Sequence, residues 1–265
     1  MDRVIRHRSE VATAAAQGPD AVMEQMVRLV RELPGSAQAG HLAVAATGRV
    51  RQGVVSALNL ETMPGWTGID LRAELAERTG LPVTVLNDAD AAALGEARLG
   101  AGLGLAAMMF VTVSTGIGAG IVLDGQLLQS VSGVHAEFGY LRAETGQTTE
   151  SLAGGRALEQ WTRQRGGSGG AAQLIGWALN GNAAAAERLE RAVSALVRGF
   201  GEVRVMTGIE DVVIGGSVGL NPEFFRRLHT CAQGQPELYR VHVRAARLGA
   251  DAGLYGAALF AERQG

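Results

Sequence analysis

An asparagine and an aspartate stand side by side directly after a short apolar stretch. Residues 82–86 predict a buried strand, so Asn87 and Asp88 follow its carboxyl end, the edge where open α/β sheets place their ligands. Asp88 could accept the proton of a substrate hydroxyl while that oxygen attacks a phosphoryl group, and Asn87 could hold sugar hydroxyls through its amide. Two structural roles fit equally well: Asp88 as a helix N-cap and Asn87 as a turn residue.

A glycine-rich turn between two apolar stretches is a second candidate. Gly116, Gly118 and Gly120 alternate along a predicted hairpin, and their missing Cβ atoms would let backbone amides approach an anion closely. The hairpin therefore predicts a phosphate site, although a tight β-turn explains the same glycines. Gly215 and Gly216 stand between a predicted strand and a predicted helix, the order needed for backbone contacts to a nucleotide, but alone they are a weak signal.

The remaining chemistry-bearing residues are few. Glu137 lies in a glycine-flanked segment, 133–140, from which it could reach a polyol, although by itself a solvated loop carboxylate is the better explanation. The five histidines show no metal-ligand spacing. The single cysteine, Cys231, excludes an internal disulfide and any cysteine-cluster metal site.

The elements that must position these residues alternate between strand and helix patterns. We expect an α/β fold with two strand-rich lobes joined near residue 88. The predicted strands are 4–12, 41–46, 53–57, 82–86, 105–113, 119–123, 211–214 and 240–244. The predicted helices are 18–33, 70–80, 89–99, 150–165, 171–179, 183–206, one after Asn221-Pro222, and 252–262.

Composition narrows the class of protein. The chain has 265 residues, 47% of them apolar, and all 24 basic residues are arginine, so a lysine-dependent P-loop and amine catalysis are excluded. A net charge of −2 gives no general attraction for nucleic acid or anionic lipid. No apolar run reaches the roughly 18 residues of a membrane span, and the start lacks the apolar part of a signal peptide. The sequence therefore predicts a soluble, cytoplasmic protein that binds neither nucleic acid nor membranes.

Taken in order, five motifs resemble those of the ROK family of sugar kinases. The likeness runs over essentially the whole chain and extends to the ending DAGLYGAALFAE (251–262); within the family it is greatest to bacterial enzymes that act on N-acetylmannosamine. The motifs are AATGRVRQGVVSALN (45–59), LPVTVLNDADAAALGE (81–96), MMFVTVSTGIGAGIV (108–122), HAEFGY (135–140) and VVIGGSVGLNPEF (212–224).

The resemblance implies an actin-like ATPase fold of two α/β lobes around a cleft where sugar and ATP meet. The expected lobes are residues 1–87, completed by the helix 252–265, and residues 88–251. The family begins with a strand pair carrying Asp-x-Gly-Gly-Thr-Lys, which helps to hold ATP and Mg²⁺. Here the N-terminal lobe is expected to be incomplete, and we expect a misplaced start codon to explain it.

The resemblance also assigns roles to individual residues. It implies ATP-dependent phosphorylation of the 6-hydroxyl of N-acetylmannosamine in sialic acid breakdown, with Asp88 as the base, and a homodimeric assembly. The implied sugar-binding residues are Gly48, Arg49, Asn59, Asn87, Glu137 and Glu150. The residues expected to hold ATP with Mg²⁺ are Thr115, Gly116, Ile117, Gly118, Ala119 and Gly120, together with Gly215 and Gly216.

One departure from the family concerns its zinc site. The family holds zinc with one histidine and three cysteines, but Tyr140 stands at the histidine position and residues 142–149 contain no cysteine. We therefore predict that zinc is absent. The replaced histidine also contacts the sugar in the family, so a glucose or N-acetylglucosamine kinase is an alternative. A non-catalytic sugar-binding relative is another, whereas a DNA-binding repressor would need an additional N-terminal domain.

Overall fold

A computed structural model describes residues 4–58, 60, 63–134, 136–143 and 146–263. The chain divides into two compact units. The first comprises Met1–Asp88, Ser130–Val134 and Ala257–Gly265, and the second comprises Ala89–Gln129 and His135–Gly256. The lobe boundaries expected from the resemblance stay a prediction.

The bounds of the helices and strands follow the chain order. The strands are β1 (Leu42–Ala46), β2 (Arg49–Arg51), β3 (Val54–Ser56), β4 (Ile69–Asp70), β5 (Val83–Asn87), β6 (Ala107–Val113), β7 (Ile117–Leu123), β8 (Gln126–Leu127), β9 (Asp211–Gly215) and β10 (His242–Ala245). The helices are α1 (Pro19–Glu32), α2 (Leu71–Thr79), α3 (Asp88–Leu99), α4 (Thr149–Ala153), α5 (Gly155–Arg163), α6 (Ala171–Leu179), α7 (Ala183–Thr207), α8 (Pro222–Gln233) and α9 (Ala252–Ala261).

The first unit contains two small sheets. Strands β1 and β5 pair in parallel, and β2, β3 and β4 form an antiparallel sheet. Helix α2 begins where the Asp70 side chain accepts a hydrogen bond from the Ala73 amide, and it ends at Gly80, which has a left-handed φ of 72°. The helices and sheets share an apolar core that includes Val44, Val55 and Leu75.

The second unit is built on a five-stranded sheet in the order β10-β9-β6-β7-β8. Strand β9 runs parallel to β6 and β10, and β7 runs antiparallel to β6 and β8. The central strands are nearly continuous apolar runs because helices pack on them. Fully buried side chains of α7 and α8, among them Leu196, Phe200 and Phe224, join those strands in one core.

Helices α3 and α9 approach each other through glycines. A Cβ atom on Gly95 would lie 2.3 Å from the Ala252 carbonyl oxygen, and one on Gly256 would lie 1.6 Å from the Ala91 carbonyl oxygen. No side chain fits at either position, so the two backbones meet directly. The contact with α9 therefore fixes the position of α3, the helix that begins at Asp88.

Two predictions about elements are wrong. Residues 4–12 form no strand; they are exposed, and no described strand pairs with them. Alternation alone cannot make a strand without a neighbour to take its hydrogen bonds. The predicted helix 150–165 is interrupted at Gly154, where α4 ends and α5 begins.

The other predicted strands and helices are confirmed to within a few residues. Over the part of the chain that is described, every helix is too short or too polar to cross a lipid bilayer.

Candidate active site

Two parallel strands of the first unit bring together several of the predicted residues. In the β1–β5 pair Ala46 lies opposite Asn87, so Thr47 and Gly48 leave the same sheet edge as Asn87 and Asp88. The Thr47 hydroxyl donates a hydrogen bond of 2.7 Å to Asp88 Oδ2. The Asn87 side-chain amide donates one of 2.9 Å to the Gly48 carbonyl oxygen. These contacts orient an exposed carboxylate at the first residue of α3.

The turn from β1 into β2 requires glycine at position 48. Gly48 has a φ of 101°, and a Cβ atom there would lie 2.8 Å from the Ser56 carbonyl oxygen. The next residue, Arg49, is exposed on β2 and pairs with Ser56 of β3. Arg49 is therefore open to solvent, one residue after the Gly48 carbonyl oxygen that accepts the hydrogen bond of Asn87. The predicted sugar ligand Asn59 lies outside the described residues.

In the second unit, the ends of β6 and β9 carry the two glycine-containing turns. Thr112 of β6 lies opposite Gly215 of β9 in the parallel pair. The Val113 carbonyl oxygen accepts hydrogen bonds of 3.0 Å from the amides of both Val218 and Gly219. Gly216 has a φ of 83°, and a Cβ atom there would lie 2.3 Å from the same carbonyl oxygen. The turn after β9 is thus held against the end of β6.

Two glycines of the predicted phosphate hairpin have a packing role. Gly118 and Gly120 lie within β7, and a Cβ atom on Gly120 would lie 2.7 Å from the Ala93 Cβ atom of α3. One on Gly118 would lie 3.0 Å from the Ala89 Cβ atom. The absence of side chains at these positions lets α3 pack closely on β7. Whether residues 115–120 bind phosphate stays a prediction.

The turn between β6 and β7 is held by Glu150 and the start of α5. The Ile117 amide donates a hydrogen bond of 2.7 Å to Glu150 Oε2. The amide of Gly155 donates to the Ser114 carbonyl oxygen at 2.7 Å, and that of Arg156 donates to the Thr115 carbonyl oxygen at 2.9 Å. The Ile117 amide is therefore engaged by a carboxylate, so it is not free for a phosphate oxygen in this arrangement.

Glu137, Glu150 and Tyr140 form a polar group in the second unit. The pKa of the Tyr140 hydroxyl is raised by its partial burial, and then by the negative charges of Glu150 and Glu137. Both carboxylates are thus near the phenol, which is itself exposed to solvent. Two hydrogen-bond acceptors beside a hydroxyl suit a ligand that carries several hydroxyl groups.

Comparison with known proteins shows the family. The ROK family profile matches residues 1–264. The N-acetylmannosamine kinase of Citrobacter koseri is 34% identical over 270 residues, which cover 98% of this chain and 92% of that protein. The chain belongs to the ROK family.

Solved structures support the same assignment. The ROK hexokinase of Thermus thermophilus superimposes with a TM-score of 0.80 at 31% identity, over 96% of this chain and 91% of that one. A ROK family glucokinase from Streptomyces griseus, solved with glucose and AMPPNP, gives a TM-score of 0.76 at 28% identity, with the same coverages. The predicted fold class, α/β of the actin-like ATPase type, is confirmed.

Proposed function

We propose that this protein transfers the γ-phosphoryl group of ATP to the 6-hydroxyl of N-acetylmannosamine, with Asp88 as the general base. Its class, a phosphotransferase of the sugar kinase type, follows from its family and from its kinase relatives. The observation that carries the proposal is the hydrogen bond from Thr47 to Asp88 at a strand end that also holds Asn87 and Gly48.

The proposed step needs one base in a fixed place. The 6-hydroxyl gives its proton to the Asp88 carboxylate while its oxygen bonds to the γ-phosphorus, and the bond from that phosphorus to the bridging oxygen breaks to release ADP. Phosphoryl transfer depends on alignment and charge stabilisation more than on covalent help from the protein. The Thr47 hydroxyl binds one oxygen of the Asp88 carboxylate, and this contact also fixes the direction in which the other oxygen points.

The sugar would be recognised by hydrogen bonds to its hydroxyl groups. Asn87 and the turn at Gly48 and Arg49 are the ligands that we propose in the first unit. In the second unit we propose Glu137 and Glu150. Buried or constrained polar groups that read hydroxyls discriminate strongly between sugars, because a missing partner leaves them unpaired.

The residues present at the turns of the second unit fit a nucleotide phosphate. In the described part of the chain, the amides of Thr115 and Gly116 donate to no protein acceptor, and Thr115 is exposed. The hydroxyls of Ser114 and Ser217 face each other at 3.5 Å. These groups, with the backbone at Gly215 and Gly216, would hold ATP phosphates. Bound Mg²⁺ would supply neutralisation of the phosphate charge.

The choice of sugar rests on the relatives. The protein of Citrobacter koseri, 34% identical to this chain, is named an N-acetylmannosamine kinase, whereas the glucokinase of Streptomyces griseus is 28% identical. We therefore place N-acetylmannosamine first and glucose or N-acetylglucosamine second. The role would be in sialic acid breakdown, in the cytoplasm, by a homodimer without zinc.

A sugar panel tests the proposal. ADP formation is measured with N-acetylmannosamine, N-acetylglucosamine, mannose and glucose, for this chain and for a form extended by any in-frame upstream codons. We expect the highest kcat/KM with N-acetylmannosamine and a product phosphorylated at carbon 6 by NMR. Preference for glucose would replace the proposed substrate by the alternative, and no ADP formation with any sugar would refute the kinase assignment. Elemental analysis should find no zinc in the purified protein, and light scattering should give the mass of a dimer.

A further inference from the structure

The carboxylate of Glu150 lies against the turn that we propose for the ATP phosphates. Its Oε2 atom accepts a hydrogen bond of 2.7 Å from the Ile117 amide. A Cβ atom on Gly116 would lie 2.6 Å from the same oxygen, so the missing side chain of Gly116 makes room for the carboxylate. A carboxylate oxygen thus occupies the place at which a phosphate oxygen would meet the Ile117 amide.

Glu150 also contacts the segment that carries Glu137 and Tyr140. A Cβ atom on Gly139 would lie 3.5 Å from the Cβ atom of Glu150. The next residue, Tyr140, is exposed, and its amide donates a hydrogen bond of 3.0 Å to the Glu137 carbonyl oxygen. One side chain therefore adjoins both the residues proposed for the sugar and the turn proposed for ATP.

The backbone that carries the Glu150 side chain is held on both sides. Thr148 caps α4: the Ser151 amide donates to its hydroxyl at 3.2 Å, and the Thr148 amide donates to the Ser151 hydroxyl at 2.9 Å. The Thr149 amide donates to the Leu141 carbonyl oxygen at 2.9 Å. Glu150 itself is partly exposed to solvent. A change in the partner of its carboxylate therefore needs only rotation about side-chain bonds.

We propose that Glu150 makes ATP binding depend on the sugar, an inference that rests on the proposed function. Without sugar, the carboxylate keeps the Ile117 amide and repels the phosphates. Sugar hydroxyls donate to the carboxylate in place of that amide, which then becomes free for a phosphate oxygen. The two ligands thereby strengthen each other's binding, and couplings of this kind are typically about 5- to 150-fold. Glu150 thus limits nucleotide binding when no acceptor hydroxyl is present.

Titration of a nucleotide without sugar tests this role of Glu150. Calorimetry gives the Kd of AMPPNP with Mg²⁺ for the wild type and for Glu150→Ala, which loses both the repelling charge and the competitor for the Ile117 amide. We expect the alanine variant to bind about tenfold more tightly. Glu202→Gln, which removes an exposed carboxylate of α7, should bind as the wild type does. A turn that had only lost its support would bind more weakly. Equal or weaker affinity of Glu150→Ala, or binding by neither protein, would therefore overturn the inference.

Titration with sugar present covers the case in which Glu150→Ala fails to fold. Glu150→Gln keeps an oxygen for the Ile117 amide but loses the charge. The sugar with the highest kcat/KM, at a concentration that saturates each protein, should tighten AMPPNP binding about tenfold in the wild type and less than about threefold in Glu150→Gln. An equal gain in both proteins would overturn the inference.

Failure of the proposed function would be seen in a different measurement. Absence of ADP formation with every sugar would refute the kinase reaction. The titrations without sugar contain no acceptor, so they would still decide whether Glu150 opposes nucleotide binding.

Discussion

The hydroxyl of Thr47 donates a hydrogen bond of 2.7 Å to the Oδ2 atom of Asp88, across 41 positions of the sequence. This contact joins the residue after β1 to the first residue of α3, so it depends on the parallel pairing of β1 and β5. A carboxylate bound in this way has fewer orientations than a free one. Thr47 is therefore a positioning residue for Asp88 in the proposed reaction.

Removal of the Thr47 hydroxyl should slow turnover more than it weakens sugar binding. Thr47→Val keeps the shape and loses one hydrogen bond to a charged group, so we expect kcat to fall about tenfold with little change in the KM for the sugar. Thr47→Ser should restore most of the rate because it restores the donor. Steady-state kinetics measure both values. Equal rates for the valine and serine variants would show that the hydroxyl does not position the base.

Replacement of Glu150 distinguishes a role in sugar binding from a role in holding the Ile117 amide. Glu150→Gln keeps an oxygen for the Ile117 amide but loses the charge, whereas Glu150→Ala loses both. If the carboxylate binds sugar hydroxyls, the glutamine variant should raise the KM for the sugar about tenfold without loss of stability. The alanine variant should in addition lose about 1 kcal/mol of stability in urea unfolding. A glutamine variant with wild-type kinetics would limit Glu150 to holding the turn.

A methyl group at Gly256 should damage the contact between α9 and α3. Its Cβ atom would lie 1.6 Å from a backbone oxygen of Ala91, so the helices must move apart. We expect Gly256→Ala to lower the free energy of unfolding by about 3 kcal/mol, as overpacking does. Gly176→Ala on α6 is the control, since no atom lies within 4 Å of its new Cβ and alanine favours a helix. Similar stabilities of the two variants would contradict this description of the crossing.

The stability contributed by Glu223 should depend on pH. Hydrogen bonds from Arg226 and Arg227 lower the pKa of the Glu223 carboxyl from 4.5 to about 2. Because this pKa is lower in the folded state than in the unfolded state, the ionised carboxyl stabilises the fold at pH values above about 4.5. That contribution is lost as the pH falls from 4.5 towards 2. Because the partner arginines are partly solvated, we expect about 1 kcal/mol at neutral pH.

Urea unfolding from pH 7 to pH 3 measures this effect. Glu223→Gln should be less stable than the wild type by a constant amount above pH 5, and the difference should shrink as the pH falls below 4.5. Glu202→Gln removes an exposed glutamate of α7 and serves as the control. A difference for Glu223→Gln that grows on acidification would contradict the assigned sign.

Local patterns were enough to predict most elements because the signals that end helices are local. Asp70 and Gly80 bound α2 through contacts within a few residues of the chain. The predicted strand at residues 4–12 failed because alternation of side chains does not supply a pairing partner. The break at Gly154 was missed because the amides after it bind the carbonyl oxygens of Ser114 and Thr115, about 40 residues away.

In the candidate site, too, residues marked by their local sequence could be predicted, whereas residues joined by long-range contacts could not. Asn87 and Asp88 could be recognised because they directly follow an apolar strand. Thr47 was missed, since nothing near it in the sequence marks a partner 41 positions away; only its place at a second strand end could have suggested it. The pattern at Gly118 and Gly120 predicted an anion-binding site. The structure shows that the missing side chains at these positions allow α3 to pack closely on β7.

The kinetic constants of Asp88→Asn test the central claim most directly. The variant replaces the proposed base by a neutral group of the same shape, and Asp124→Asn in the turn after β7 is the matched control. With N-acetylmannosamine and ATP, we expect kcat to fall about 1,000-fold, the sugar affinity measured by calorimetry to remain nearly unchanged, and the control to keep its rate. A kcat for Asp88→Asn close to that of the wild type would contradict the assignment of Asp88 as the base.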